Sequence, residues 1–197
     1  MTKDQRPKTN DQRFNIIVAM DSKRGIGKGG QLPWRLSADL KYFRELTTKT
    51  EDKYKKNVVV MGRKTWESLP EKFRPLPGRI NVVLTRQKDY PLPEGVYKTS
   101  KFETVLLNLN KQGLREDIES VFFIGGAEIF RQVLLCQPPL VRKLYVTHVN
   151  GEFHCDTFFP EFENDFKWVS SSPVLKENSS EFFFAKYACL RQAGQER

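Results

Sequence analysis

Four short stretches limit what this 197-residue chain can fold into. Residues 16–20, 57–61, 79–84 and 121–124 are dominated by Ile, Val, Leu, Phe and Met. Each is too short for an ordinary helix and lacks the in-out alternation of a half-exposed strand. Each therefore reads as a strand buried on both faces. Helical segments are predicted between and after them, over about 37–46, 64–69, 102–109 and 127–135, with a further strand at 95–99. Apolar strands alternating with helices predict an α/β fold: a mostly parallel central sheet flanked by helices on both faces. The end of the chain differs. Residues 143–149, 166–171 and 181–190 are strand-like with no helix between them, which predicts a C-terminal antiparallel hairpin at the sheet edge.

Length fits one domain, over residues 14–190, with fifteen Phe to fill its core. Residues 1–13 are polar, contain Pro7 and are expected to be disordered, and 191–197 form a polar tail. No apolar run approaches the roughly 18–20 residues that span a membrane. The N-terminus has no apolar signal core, so a cytoplasmic location is the default. Cys136, Cys155 and Cys189 are an odd, scattered set, as expected of reduced thiols. His154 and Cys155 are adjacent and would point to opposite faces of a strand, so no metal site is expected. The net charge of +9 suits small polyanionic ligands or nucleic acid. Its Lys and Arg residues are dispersed among acids, without the basic stripe and aromatic platforms of a nucleic-acid binder.

Three features carry chemistry. A loop over residues 21–30 holds Gly25, Gly27, Gly29 and Gly30, then Leu32-Pro33-Trp34 leads to a helix for which Ser37 is a suitable N-cap. Helical spacing puts Leu36, Asp39, Leu40 and Phe43 on one side, so a carboxylate sits among apolar side chains. No Lys or Arg on that face neutralises it; a ligand with paired N–H donors would. Second, Gly62 precedes a helix opening Arg63-Lys64-Thr65, and Gly125-Gly126 precedes one opening Ala127-Glu128. Helix N-termini bind phosphate, and glycine allows its close approach. Either junction alone fits an ordinary tight turn; two in one sheet suit a dinucleotide. Third, the strand at 79–84 leads into Thr85-Arg86, and an Arg at that place accommodates the 2′-phosphate of NADP. Arg63 and Lys101 are candidate helpers.

The stretches IIVAM, GIGKGGQLPW, VMGRKTWESLP, PLPGRINVVLTR, FIGGAEIF, LYVTHV and DTFFPE, with the acidic Asp39 on the helix after the first loop, follow one another from Phe14 to Leu190. In this order they resemble the dihydrofolate reductases. The resemblance implies NADPH-dependent reduction of 7,8-dihydrofolate to 5,6,7,8-tetrahydrofolate, with hydride going to pterin C6 and a proton to N5, in support of one-carbon metabolism and thymidylate synthesis. It also implies a monomer inhibited by antifolates, and a closing lid over residues 21–32. Asp39 would accept hydrogen bonds from the pterin 2-amino group and N3, Thr147 would bond that carboxylate, and Trp34 would hold a water. Ile17, Val18, Leu32, Leu40, Phe43, Leu69, Phe73 and Leu76 would contact substrate, and Arg79 would grip a carboxylate of its glutamate tail. Ile17 and Ile124 would offer backbone carbonyls. The cofactor would meet Ala19, Ile26 and Gly30, then Gly62, Arg63, Lys64 and Thr65, then Leu84, Thr85, Arg86 and Lys101. Ile124, Gly125, Gly126, Ala127, Glu128, Ile129 and Phe130 would complete its site. His148, Trp66 and Trp168 read as structural, and Asp156 as a turn cap. A pyrimidine reductase of riboflavin synthesis is an alternative on the same architecture; Asp39, Leu32-Pro33-Trp34 and Arg79 argue against it.

Overall fold

The computed structural model describes residues 13–136 and 140–190. The expectations for residues 1–12 and 191–197 lie outside the described residues. In chain order the elements are β1 (Arg13–Asp21), β2 (Gly25–Gly27), α1 (Ser37–Thr48), β3 (Lys56–Gly62), α2 (Arg63–Ser68), β4 (Ile80–Leu84) and β5 (Val96–Thr99). They continue with α3 (Val105–Lys111), β6 (Ile118–Gly125), α4 (Ala127–Leu134), β7 (Val141–Val149), β8 (Thr157–Phe158), β9 (Phe166–Ser171), β10 (Leu175–Glu177) and β11 (Ser180–Cys189). The main sheet runs β10-β11-β7-β1-β6-β3-β4-β5, with β9 also on β11, and β2 pairs with β8 in a separate ribbon.

Strand alternation sorts the apolar runs onto two faces. Ile16, Val18, Val58, Val60, Val82 and Phe123 lie in one cluster with Val105 and Leu109 of α3 and Ile129, Phe130 and Val133 of α4. Ile17, Val59, Met61, Val83 and Phe122 lie in the other, against Trp66 of α2 and Phe43 and Leu46 of α1. The sheet is thus covered on both faces, as its continuous apolar strands require. Phe123 is fully buried between Phe14 and Phe102, at ring-centroid distances of 6.0 and 6.4 Å. Phe123→Ala is expected to lower stability by about 3–5 kcal/mol, a large part of the roughly 5–15 kcal/mol of an ordinary domain. Urea denaturation would read this as a lower midpoint.

The structure departs from the sequence reading in several places. The strand-like C-terminal block is not wholly antiparallel: β7 runs parallel to β1, and β11 is the strand that reverses against β7. The route from β6 to β7 passes through α4 and skips over β1, and such a crossover returns the chain in the same direction. The segment predicted as one helix at 102–109 is a 3-10 turn, Phe102–Thr104, followed by α3. The glycine loop is not simply open chain. Its β2 ribbon pairs with β8, and Lys28 and Gln31 close a turn around Gly29 and Gly30, whose φ values of +57° and +80° suit glycine. Ser37 is not the N-cap of α1. Leu36 holds that position, buried against Trp34, Val149 and Phe182. The free amides are met from far along the chain: Ser37 N and Ala38 N donate to the Glu177 carboxylate at 2.7 and 3.1 Å.

Candidate active site

Asp39 lies in the first turn of α1 and is 9% exposed. Thr147 of β7 donates its hydroxyl to Asp39 Oδ1 at 2.6 Å. Burial pushes the Asp39 carboxyl above its usual range; the Thr147 bond partly offsets this, and the Glu177 charge adds to it. Among the described residues no cation is found acting on Asp39. One turn on, Tyr42 stacks on Phe184 with ring centroids 4.0 Å apart, and burial raises its hydroxyl to about 12. Trp34 packs edge-on against Phe153, and its buried Nε1 finds no acceptor among the described residues.

The apolar walls assemble on the α1 side of the sheet. Ile17, Phe43, Leu69, Leu76 and Ile124 share one cluster. Arg79 joins them, 9% exposed, with its guanidinium 5.6 Å from the Phe43 ring centroid. Its Nη1 donates to Thr47 Oγ1 at 2.8 Å and its Nε to the Pro77 carbonyl at 3.1 Å. Burial, with a smaller effect of Arg44, pushes its pKa down to about 10. Asp39 and Arg79 are therefore two buried opposite charges whose countercharges are not supplied by the described residues. Leu32, Leu40 and Phe73 are about half exposed and stand at the rim rather than in the wall. Val18 is corrected. Its side chain points into the opposite cluster, because neighbours along a strand face opposite ways, so it can offer this side of the sheet only backbone.

The two glycine junctions come side by side because β3 and β6 are neighbours, with Met61 level with Gly125. A Cβ on Gly125, whose φ is +130°, would sit 3.3 Å from Thr65 Oγ1, and one on Gly62 would sit 3.7 Å from Gly126 N. Gly125 thus keeps space open beside Thr65, whereas a Cβ on Gly62 would make only ordinary contact; the two junctions stand at the N-termini of α2 and α4, with Ala127 at the start of α4. Arg86, Lys64 and Lys101 are exposed cations, and Thr85 lies just past β4. Donors and cations of this kind fit a dinucleotide phosphate. Two expected cofactor side chains are engaged otherwise. Arg63 Nη1 lies 2.8 and 2.9 Å from the Glu67 carboxylate oxygens, one turn along α2. Glu128 accepts from Arg131 and Gln132 on its own helix. Leu84, Ile129 and Phe130 are core side chains, Phe130 edge-on to Phe159, so their side chains are not surface contacts. Ile26 packs against the same cluster, and Ala19 against that of Trp34.

The lid-like loop is held by a second segment that the sequence reading underrated. Gly29 N donates to Asp156 Oδ2 at 2.7 Å, and Phe159 N to the Arg24 carbonyl at 2.7 Å. Asp21 accepts from Gly25 N at 2.7 Å and Phe153 N at 3.1 Å. Asp156 thus ties two loops together while its other oxygen accepts locally from Thr157 Oγ1 at 2.8 Å. His148 bonds Tyr187 at 2.9 Å and stacks on Phe183, a structural role as expected. Trp66 is core, whereas Trp168 is half exposed. Tyr42, Thr47 and Glu177 were missed. Tyr42 was legible at helical spacing from Asp39, while Thr47 and Glu177 reach the site only through tertiary folding.

A family model described as dihydrofolate reductase matches residues 13–189. The bifunctional dihydrofolate reductase-thymidylate synthase of Glycine max is 42% identical over 195 residues, covering 96% of this chain and 36% of that protein. The chain thus spans about a third of the length of the bifunctional relatives it matches. The dihydrofolate reductase of Drosophila melanogaster is 40% identical over 176 residues, 86% of this chain and 94% of that one. The solved structure of Schistosoma mansoni dihydrofolate reductase matches with a TM-score of 0.79 at 34% identity, covering 90% of this chain and 98% of that one. With the family match running across nearly all the described residues, the chain belongs to the dihydrofolate reductase family.

Proposed function

We propose that this protein reduces 7,8-dihydrofolate to tetrahydrofolate with NADPH. One observation carries the reading: a buried carboxylate, Asp39, and a buried guanidinium, Arg79, flank one apolar surface without countercharges among the described residues. Dihydrofolate has the matching chemistry. Its pterin carries adjacent N–H donors, and its glutamate tail carries carboxylates.

NADPH, when bound, supplies the hydride for pterin C6. Asp39 accepts the two pterin N–H bonds, fixing the ring and favouring its protonated form. Thr147 orients that carboxylate through its 2.6 Å bond. Ile17, Phe43, Leu69 and Ile124 sandwich the ring and exclude water, with Ile17 and Ile124 offering backbone carbonyls to its amino group. The N5 proton arrives by a water, for which the buried Trp34 N–H is the assigned donor. Gly62, Thr65, Gly125 and Gly126 would cradle the pyrophosphate, and Arg86 with Lys101 would hold the 2′-phosphate. Closure of the 21–32 loop gates the site. The proposal extends to a monomer organised as one domain over 14–190, in the cytoplasm and open to antifolates; among the described residues no helix is long and apolar enough to cross a membrane.

The test is loss of NADPH absorbance that requires dihydrofolate. A folded protein that binds NADPH but leaves dihydrofolate unreduced would overturn the reading. Arg86→Ala is expected to cut the preference for NADPH over NADH about tenfold or more, as loss of a charge-assisted phosphate contact should. Parallel kcat/KM values for the two cofactors would check it.

A further inference from the structure

We infer that Glu177 is a positioning residue for Asp39, holding the first turn of α1 against the pterin face of the site. The inference rests on the proposed function. Its starting point is a conflict at the start of α1. The cap position demands a hydrogen-bond acceptor, but the fold places Leu36 there, 2% exposed, in the cluster of Trp34, Val149 and Phe182. Leu36 cannot cap. The acceptor comes instead from the β10–β11 hairpin, about 140 residues away, with Glu177 Oε1 2.7 Å from Ser37 N and Oε2 3.1 Å from Ala38 N.

The hairpin is shaped for this contact. Its two-residue turn, Asn178 and Ser179, has φ of +49° and +63°, as a tight hairpin turn requires. Asn178 Nδ2 donates to the Arg35 carbonyl at 3.0 Å, just before the helix. Phe182, on the returning strand, is fully buried in the cluster that holds Leu36. The hairpin therefore grips the start of α1 by a carboxylate, an amide and an aromatic ring. Asp39 lies one and two residues beyond the two capped amides, so any fraying of this turn moves its carboxylate relative to Thr147.

Glu177 also acts by charge. Bonds from the Ser37 hydroxyl and the Ser37 and Ala38 amides hold it below the usual carboxylate range, so it stays ionised in ordinary assays. Its charge opposes the positive end of the α1 dipole and raises the proton affinity of Asp39. The other titratable neighbour is Tyr42 on the same helix, which in turn senses Tyr145 of β7. Tyr42, its hydroxyl raised to about 12, is neutral near pH 7, leaving Glu177 as the charged influence on Asp39.

The test compares Glu177→Ala and Glu177→Gln with the wild type. In Glu177→Ala, amide exchange at Ser37 and Ala38 should quicken. kcat/KM for dihydrofolate should fall about tenfold, as for loss of a cap bonded twice by an ionised group, while KM for NADPH stays within about twofold. Glu177→Gln keeps an acceptor but loses the charge. It should lose less activity and shift the acid limb of the kcat/KM profile, where Asp39 takes up its proton, down by about half a pH unit. Unchanged exchange in Glu177→Ala would overturn the inference. So would wild-type kcat/KM and pH profiles in both variants, or equal losses toward dihydrofolate and NADPH that track a lower melting temperature. A wild-type enzyme inactive on dihydrofolate would overturn the proposed function and this inference together, and is distinguished because no variant is involved.

Discussion

Asp39→Asn should fold, bind NADPH and lose about 10²–10³-fold in turnover at neutral pH. The amide keeps the size of the carboxyl and can still accept from Thr147, so the geometry survives. What goes is the charge that favours a protonated pterin. Activity should recover in part as the pH falls, because the substrate is then protonated without help. Stability should move the other way. Burial raises the Asp39 pKa in the folded state, so ionisation costs the native protein more than the unfolded chain. That cost begins as the pH rises past the unfolded value of about 3.9 and is complete above the raised folded value. The variant should therefore melt higher than the wild type at pH 7, and the gap should close in acid. Stopped-flow turnover and thermal melts across pH would check both halves; wild-type turnover at pH 7 would remove Asp39 from the mechanism.

Arg79→Ala should raise KM for dihydrofolate about 100-fold, with kcat changed only a few-fold. A bidentate, partly desolvated carboxylate contact is worth roughly 2–3 kcal/mol. It is made equally in the ground and transition states, because the glutamate tail is remote from the reacting atoms. Arg79→Lys should recover little, since an ammonium cannot form the planar fork and Thr47 Oγ1 already orients the guanidinium at 2.8 Å. Steady-state kinetics with dihydrofolate, and with a pterin lacking the tail, would separate the cases: the tailless substrate should be indifferent to the substitution. A fall in kcat with KM unchanged would place Arg79 elsewhere in the mechanism.

The parallel body of the fold was legible because its strands are buried on both faces. Val58 to Met61 cannot be arranged otherwise without exposing valine to water. Asp39 was legible for a related reason, being a lone carboxylate on an apolar helical face. What the sequence hid were pairings that depend on tertiary folding. β2 and β8 have three and two residues, too few for any periodicity to register. The direction of β7 is set by the crossover through α4, not by residues 141–149 themselves. Ser37 is a good cap by local chemistry, but packing gives the cap position to Leu36, and Glu177 takes over the capping. Val18, Leu84, Ile129 and Phe130 stand in recognisable stretches, and strand alternation and helix packing turn their side chains into the core.

The most direct measurement is NADPH oxidation by the purified protein, with dihydrofolate present and absent, and with NADH in place of NADPH. The account predicts turnover that requires dihydrofolate, prefers NADPH and is blocked by methotrexate. A folded, NADPH-binding protein that does not oxidise NADPH when dihydrofolate is added would contradict it.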